Sequence, residues 1–320
     1  MLQFTTPAAA GVLLSVALLG GCAAPQSSAL LANLDSHSGV SEVLDRSVKL
    51  EATPFFPQED YQCGPAALAT VLVSAGAKVT PEMLVPQVYL PERQGSLQAE
   101  MLAATRRQGL MAYVLQPRLE DVLLEIAAGR PVVVLLNLSL PVWPRWHYAV
   151  AMGYDRERQD ILLRSGTTRE MRMSLSNFEH TWARSRYWAM LALPPGQMPA
   201  TVDEASYVSS AAALERASPA AARQAYGAAL DRWPVNTLAL MGMGNAAYAQ
   251  HDLAAAETAY RNAAVTHPES ADAWNNLAQV LLDRGQRSEA REAGEKAVTL
   301  GGPRLELYRS TLAAINAAGG

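Results

Sequence analysis

The chain contains 320 residues, enough for two modest domains that each bury a core of their own. Half of the residues are apolar and 18% are charged, which is ordinary globular composition. The net charge is −4 and neither sign forms a long run, so the sequence offers no electrostatic surface for nucleic acid, and we expect no nucleic-acid partner.

The N-terminal segment is typical of an exported protein. Residues 12–19 form an apolar stretch that is too short to span a bilayer but suits the core of a signal peptide. It ends in Leu-Gly-Gly-Cys at residues 19–22, which resembles the lipobox of bacterial lipoproteins, although the start of the chain lacks Lys and Arg. The resemblance implies a signal peptide over residues 1–21, cleavage before Cys22, and diacylglycerol on the Cys22 thiol.

The residue after the lipobox cysteine indicates where the anchor lies. Ala23 follows Cys22, and no Asp is present there to retain the protein in the inner membrane. We therefore expect a lipid anchor in the inner leaflet of the outer membrane, with the protein facing the periplasm. Residues 22–48 are small and polar with little periodicity, and they predict a flexible, lipidated tether.

Residues 49–195 predict a globular domain. The first part has the period of helices, and the second part has short strand patterns, of which residues 131–140 are typical of a strand buried on both faces. The predicted helices are residues 65–75, 81–90, 97–108 and 119–128, and the predicted strands are residues 110–115, 131–140, 147–154, 160–164, 170–174 and 187–193. Helices first and an antiparallel sheet second predict an α+β fold.

After the Pro-Pro-Gly at residues 194–196 the chain repeats every 34 residues. Four positions show the period, because Ala222, Tyr226, Ala229 and Pro234 recur as Ala256, Tyr260, Ala263 and Pro268. The pattern resembles the tetratricopeptide repeat, which implies an all-α solenoid with a concave groove for a peptide or protein partner. We assign residues 203–320 to it, with units 203–236, 237–270 and 271–304 and a capping helix near 305–317. The proline-rich boundary predicts a core separate from that of the preceding domain.

Cys63 is the candidate nucleophile. If Cys22 is acylated, Cys63 remains a free thiol in an exported protein, where an unused thiol is a liability. Pro65 suits the first turn of a helix, so Cys63 is predicted at a helix N-terminus, whose dipole favours a thiolate. His147 opens a predicted strand, from which its imidazole can be aimed across a cleft. We expect a thiolate–imidazolium pair.

Residues 58–68 (QEDYQCGPAAL) and 147–150 (HYAV) carry a resemblance to one enzyme family. They resemble the bacteriocin-processing, double-glycine-leader branch of the papain-like cysteine peptidases, over residues 54–193. The resemblance implies Cys63 as nucleophile and His147 as general base and acid. It also implies that Gln58 stabilises the oxyanion together with the Cys63 backbone N–H. Gln62 is the competing glutamine, but it adjoins the nucleophile and is less well placed to reach over it.

The third member of the catalytic triad departs from the family pattern. In the family an Asp lies at the start of the strand after the His strand, usually followed by Pro, and here Ser165, in the stretch 161–166, holds that slot. A serine can accept a hydrogen bond from the imidazole, but it cannot stabilise the imidazolium by charge. Asp155 and Asp160 are nearby carboxylates along the chain, each better explained as a turn residue.

The remaining motifs favour no cofactor. Five scattered histidines and one usable cysteine give no metal-ligand spacing, and no Gly-rich phosphate loop is present, so we expect neither a metal nor a nucleotide. The leading hypothesis is an envelope-anchored cysteine peptidase that hydrolyses a peptide bond through a thiol acyl-enzyme, with the repeats docking its peptide or protein substrate or a partner. The alternatives are a non-catalytic peptide-binding scaffold and a peptidyl or acyl transferase that uses the same thiol.

Overall fold

The structure is a computed structural model that describes residues 25–35, 44, 46–58 and 62–318. The predicted signal peptide and Cys22 lie outside these residues. None of the helices within the described ranges is long and apolar enough to cross a membrane.

The N-terminal domain is built on a seven-stranded antiparallel sheet. Its strands are β1 (Ser47–Lys49), β4 (Met111–Val114), β5 (Val132–Asn137), β6 (Trp146–Asp155), β7 (Asp160–Ser165), β8 (Thr168–Ser174) and β9 (Ala189–Leu193), and a separate hairpin is formed by β2 (Tyr89–Leu90) and β3 (Gly95–Ser96). The strand order is β4-β9-β5-β6-β7-β8, and β1 pairs with the end of β6. Six helices accompany the sheet: α1 (Pro25–Asp35), α2 (Cys63–Ser74), α3 (Pro81–Val88), α4 (Gln98–Arg107), α5 (Leu119–Ala127) and α6 (Leu175–Ala183).

The sheet separates two layers of apolar side chains. Along β5, Val132, Val134 and Leu136 belong to the core that includes residues of α5 and α6, and Val133 and Leu135 belong to the core around α2 and α4. All six residues of β5 are buried, so the prediction of a strand buried on both faces is confirmed, although the strand ends at Asn137. The predicted α+β order is also confirmed, while α6 was not predicted.

The segment predicted as a flexible tether contains a docked helix, so that prediction is wrong for residues 25–35. The backbone N–H groups of Gln26 and Ser27 donate to the Glu179 carboxylate, at 2.9 and 2.7 Å, and Glu179 is buried in α6. A carboxylate at a helix N-terminus satisfies N–H groups that the helix itself leaves unpaired. Leu30 is buried in the sheet core. The partner that stabilises α1 lies 152 residues away from Ser27, and local periodicity carries no sign of it.

The C-terminal part is a run of paired helices, as predicted. They are α7 (Glu204–Ala212), α8 (Pro219–Arg232), α9 (Thr237–Ala249), α10 (Leu253–Thr266), α11 (Ala271–Asp283), α12 (Arg287–Leu300) and the terminal α13 (Leu305–Ala317). Small residues lie where neighbouring helices approach each other. A Cβ on Gly242 would come within 2.1 Å of the Tyr226 ring, and a Cβ on Gly244 would come within 2.3 Å of the Tyr260 ring.

The first repeat unit shares its core with the sheet, which contradicts the predicted separation. Tyr207 of α7 and Tyr226 of α8 lie in the same apolar cluster as Tyr113 of β4. The backbone N–H of Asp203 donates to Tyr113 Oη at 3.0 Å. The buried Glu125 carboxylate accepts from the Thr201 N–H at 2.7 Å and from its hydroxyl at 2.8 Å. The boundary at residues 194–196 therefore marks the end of β9 but not the end of a folding unit.

The shared core predicts where the chain can be shortened. A chain ending at Ala200 loses, besides six buried alanines, four large buried side chains of the sheet core, namely Tyr207, Val208, Leu214 and Tyr226. Each contributes about 1.5–3 kcal/mol, and the sum is comparable with the ~5–15 kcal/mol stability of a typical domain. We expect this chain to aggregate. A chain ending at Thr266 keeps α7–α10, and we expect it to elute as a soluble species with normal Cys63 alkylation. Equal solubility and equal melting temperature of the two chains would contradict a shared core.

Candidate active site

Cys63 is the first residue of α2, at the N-terminus of a helix whose next nine residues, 64–72, are buried. The sequence explains this position, because Pro65 fits the first turn and Gly64 permits a close approach by β3. A Cβ on Gly64 would lie 2.1 Å from Ser96 Oγ. Gln62, the N-cap residue, makes no side-chain capping hydrogen bond, so the first N–H groups of α2 remain available to the thiol.

The Cys63 thiol lies against the start of β6. Backbone hydrogen bonds from Tyr148, Gly64 and Cys63 itself act to lower the pKa of the thiol. Burial acts in the opposite direction and is the larger effect, so the pKa of Cys63 lies above its ordinary value. The contact with the Tyr148 N–H places the thiol beside the residue that follows His147. The thiol therefore lies near the start of the strand that carries His147, and the pairing of the two side chains stays a prediction.

His147 is the second residue of β6 and contacts the last residue of β7. Its Nε2 lies 2.9 Å from Ser165 Oγ, and Ser165 is 5% exposed. Burial lowers the pKa of His147, and the charge of Arg145 lowers it further. Ser165 is the last residue of β7, whereas the family pattern predicted the third member at the start of the strand, and its Oγ brings no charge to the ring.

The two pKa directions do not support the thiolate–imidazolium pair expected from the sequence. A raised thiol pKa and a lowered imidazole pKa both favour the neutral forms at neutral pH. The physical reason is that both groups are buried and Ser165 supplies no negative charge to stabilise an imidazolium. Both directions favour a neutral pair, in which Cys63 is a thiol and His147 is an unprotonated imidazole.

Gln58 lies at the same corner of the site. Its backbone N–H donates to the Gly166 carbonyl at 3.2 Å, one residue after Ser165. Its side-chain Oε1 is buried and makes no hydrogen bond to any residue that the structure describes. Gln62, the competing glutamine, is exposed. Gln58 therefore lies near Ser165 through its main chain, and its role as the oxyanion donor stays a prediction.

The alternative carboxylates lie at the far end of the strands. Asp155 and Asp160 pair with each other across the β6–β7 turn, and Asp155 accepts a hydrogen bond from the Arg158 N–H at 3.0 Å. His147 lies eight residues earlier on β6, about 26 Å away at ~3.3 Å per residue. Neither Asp can orient the imidazole, and their interpretation as turn residues is confirmed.

Two residues near the thiol were not found from the sequence. Tyr148 contributes its backbone N–H to Cys63, and its Oη donates to the Ser96 carbonyl at 3.3 Å. Ser96 Oγ is buried without a hydrogen bond to the described residues. No sequence signal identifies them, because tertiary packing alone brings β3 against α2. Within the ranges given above, no group of three or more His, Cys, Asp or Glu side chains could hold a metal ion.

Comparison with known proteins agrees with this geometry. Residues 50–190 match the Peptidase_C39 like family, and residues 210–257 and 241–303 match the tetratricopeptide repeat. The chain therefore carries a C39-like peptidase domain followed by tetratricopeptide repeats. The comparison with curated proteins finds no match.

Solved structures resemble the two parts separately. A Bacillus anthracis protein described as C39-like is 18% identical, with a TM-score of 0.40 over 47% of this chain and 98% of its own. The peptidase domain of Streptococcus ComA is 20% identical, with a TM-score of 0.36 over 44% of this chain and 98% of its own. The Sgt2 repeat domain of Aspergillus fumigatus is 24% identical, with a TM-score of 0.33 over 36% and 81%. These likenesses are too distant to carry a functional argument.

The neutral pair predicts how Cys63 alkylation depends on pH. In the wild type we expect iodoacetamide to react slowly at pH 7, with the rate rising only above the ordinary thiol pKa. Ser165→Asp places a carboxylate beside Nε2, which raises the pKa of His147 and lets the imidazolium stabilise the thiolate. We expect at least a tenfold faster alkylation at pH 7, since each unit of lowered thiol pKa gives about a tenfold larger thiolate fraction.

Ser165→Ala is the matched control for this experiment, because it alters the same position without adding charge. Its alkylation profile should follow the wild type, and Cys63→Ala gives the background. Identical profiles for Ser165→Asp and the wild type would show that a carboxylate at this position does not lower the pKa of the Cys63 thiol by way of His147.

Proposed function

We propose that the protein is a cysteine peptidase of the bacterial envelope, which hydrolyses a peptide bond through a thiol acyl-enzyme at Cys63. The observation that carries the proposal is the position of the thiol. It lies at the N-terminus of α2 against the N–H of Tyr148, and the residue before Tyr148 is His147, whose Nε2 contacts Ser165. The match to the Peptidase_C39 like family over residues 50–190 supports the same reaction class.

The first half of the reaction uses the neutral pair. With Nε2–H donating to Ser165 Oγ, Nδ1 of His147 is unprotonated and takes the proton from the thiol. The thiolate attacks the substrate carbonyl carbon, and the carbonyl electron pair moves to oxygen. The Cys63 N–H and the Gln58 side-chain amide donate to that oxyanion. When the C–N bond breaks, the imidazolium returns its proton to the leaving amine.

Water completes the cycle. His147 takes a proton from water, hydroxide adds to the acyl carbon, and Cys63 leaves as the thiolate that His147 reprotonates. Ser165 orients the imidazole, but it carries no charge that would stabilise the imidazolium formed in each half of the reaction. The reaction is therefore expected to be slower than in a peptidase with an Asp at this position. An amine in place of water gives transfer of the acyl group by the same steps.

A non-catalytic peptide-binding scaffold is the second candidate, and Ser165 is the observation that favours it. A protein that retains the cleft but lacks the charged third member could recognise a peptide without cleaving it. The repeats serve either function, since a concave solenoid can dock a substrate or a protein partner.

Substitutions at the site test the reaction. We expect Cys63→Ala and His147→Ala each to lower kcat/KM by at least ~10³, since the two act as a unit. Gln58→Ala removes one oxyanion donor and should lower kcat about 10²–10³-fold, which is ~2.7–4 kcal/mol. Turnover is measured on a peptide selected from a fluorogenic library. Gln62→Ala is the matched control and should keep full activity. A wild-type chain that binds peptides without releasing an amine would favour the scaffold.

We also propose that Cys22 anchors the protein, in the inner leaflet of the outer membrane. The support is the Leu-Gly-Gly-Cys sequence at residues 19–22. In fractionated cells, Cys22→Ser should lose the acyl group and the processing that depends on it, which is read by the mass of the N-terminal peptide. Cys63→Ser is the matched control and should remain acylated in the membrane fraction. Normal processing and membrane retention of Cys22→Ser would contradict the anchor.

A further inference from the structure

The connection between β5 and β6 carries a concentrated apolar surface. We call residues 138–146 the β5–β6 tip. Five of the fourteen large apolar side chains that are exposed in the described part of the chain fall within these nine residues. They are Leu138, Leu140, Val142, Trp143 and Trp146, of which Val142 and Trp143 are 85% and 81% exposed. Scattered apolar residues on a surface need no explanation, but a contiguous group indicates an interaction site.

The β5–β6 tip is held in a fixed shape. The buried Asn137 side chain accepts hydrogen bonds from the N–H groups of Ser139 and Arg145, at 3.1 and 2.9 Å. The Leu138 N–H donates to the Arg145 carbonyl at 2.9 Å. Arg184, which follows α6, donates to the carbonyls of Asn137 and Ser139. Because the base of the tip is held by these bonds, its apolar side chains are presented outward.

The N-terminus of α1 lies at the same end of the sheet as the β5–β6 tip. Strands β4 and β5 are both antiparallel to β9 and so run in the same direction, and the last residue of β4, Val114, is level with Val133, four residues before β5 ends. Gln26 contacts the loop after β4, where it donates to the Pro117 carbonyl at 3.1 Å and accepts from the Leu119 N–H at 2.6 Å. Helix α6 also joins the two features. Its Glu179 holds the start of α1, and Arg184, five residues later or ~7.5 Å along a helix axis, holds the tip.

The position of Gln26 limits how far a lipid anchor can be from this edge. Cys22 precedes Gln26 by four residues, which span at most ~14 Å when fully extended. An acylated Cys22 therefore brings the bilayer surface to the end of the sheet where the tip projects. The β5–β6 tip would then contact the bilayer before it contacted a water-soluble partner.

The composition of the β5–β6 tip suits a phospholipid surface. Tryptophan is enriched at the membrane–water interface, and leucine and valine contribute apolar area below it. The single charged residue of the tip is Arg145, which is exposed, and the tip contains no acidic residue. A positive charge beside an apolar group complements anionic lipid headgroups.

We propose that the β5–β6 tip inserts Leu140, Val142 and Trp143 into the headgroup region of the bilayer, as a second membrane contact beside the lipid anchor. This inference rests on the proposed anchor at Cys22 for the orientation of the molecule. His147 follows Trp146 directly, so insertion of the tip places the candidate active site at the membrane surface. Membrane-proximal peptide segments are then the substrates within its reach.

Tryptophan quenching tests the proposal on the processed full-length protein isolated from cells. The vesicles consist of phosphatidylethanolamine and phosphatidylglycerol with brominated acyl chains. An acylated protein is reconstituted into the vesicles, and a protein without the acyl group is added to them directly. We expect bromine-dependent quenching in the wild type. Trp143→Phe should lose most of it, and Val142→Asp should reduce it severalfold by keeping the tip in water. Trp274→Phe, in the repeats, is the matched control and should keep it.

The outcomes separate the two proposals. Failure of the anchor shows in the mass of the processed N-terminal peptide, whereas failure of the tip shows in the quenching. Equal quenching in the wild type and Trp143→Phe would overturn the insertion of the tip. A second result would also overturn it, namely slower cleavage of a soluble peptide by Val142→Asp than by the wild type, together with no bromine quenching of Trp143 in the wild type. This result would assign the tip to substrate binding.

Discussion

The site depends on one packing constraint, which is that the N-terminus of α2 must meet the beginning of β6 in the interior of the protein. Helix α2 is buried along residues 64–72, so it cannot shift without disturbing the core around it. Gly64 lets β3 approach where any side chain would collide with Ser96. No side chain caps the helix. Its first N–H groups are therefore left for the thiol, to which the N–H groups of Cys63 and Gly64 donate.

The hydroxyl at Ser165 bears on the charges of the whole site. Burial raises the pKa of the Cys63 thiol and lowers that of the His147 imidazole, and Ser165 offers no negative charge to oppose the second effect. Oxidation and alkylation of a cysteine proceed through the thiolate. A raised thiol pKa therefore acts to protect Cys63 from oxidants and electrophiles, and in the proposed reaction it also acts to slow the first step.

The parts of the fold that follow from local pattern could be predicted. The burial of β5 follows from its continuous apolar run, the repeats from their period, and the proximity of Ser165 to His147 from its position on the next strand. Long-range partners could not be predicted. The docking of α1 depends on Glu179, and the shared core depends on Tyr113 and Tyr207, residues that the sequence places far apart. The directions of the two pKa shifts at Cys63 and His147 could not be predicted, because burial, which is the largest cause of both, is a property of the folded chain.

The contact between α1 and Glu179 has a consequence for the order in which the chain can fold. In the proposed export, the chain crosses the membrane from its N-terminus and delivers residues 25–35 first, but the carboxylate that fixes their helix arrives about 150 residues later. Closing so long a loop has to wait for β8 and α6. Until then, the residues around Gln26 are available as extended chain to any processing enzyme. Once Glu179 binds their N–H groups, the same residues are withdrawn into the folded surface, so folding itself sets the period during which the N-terminus can be modified.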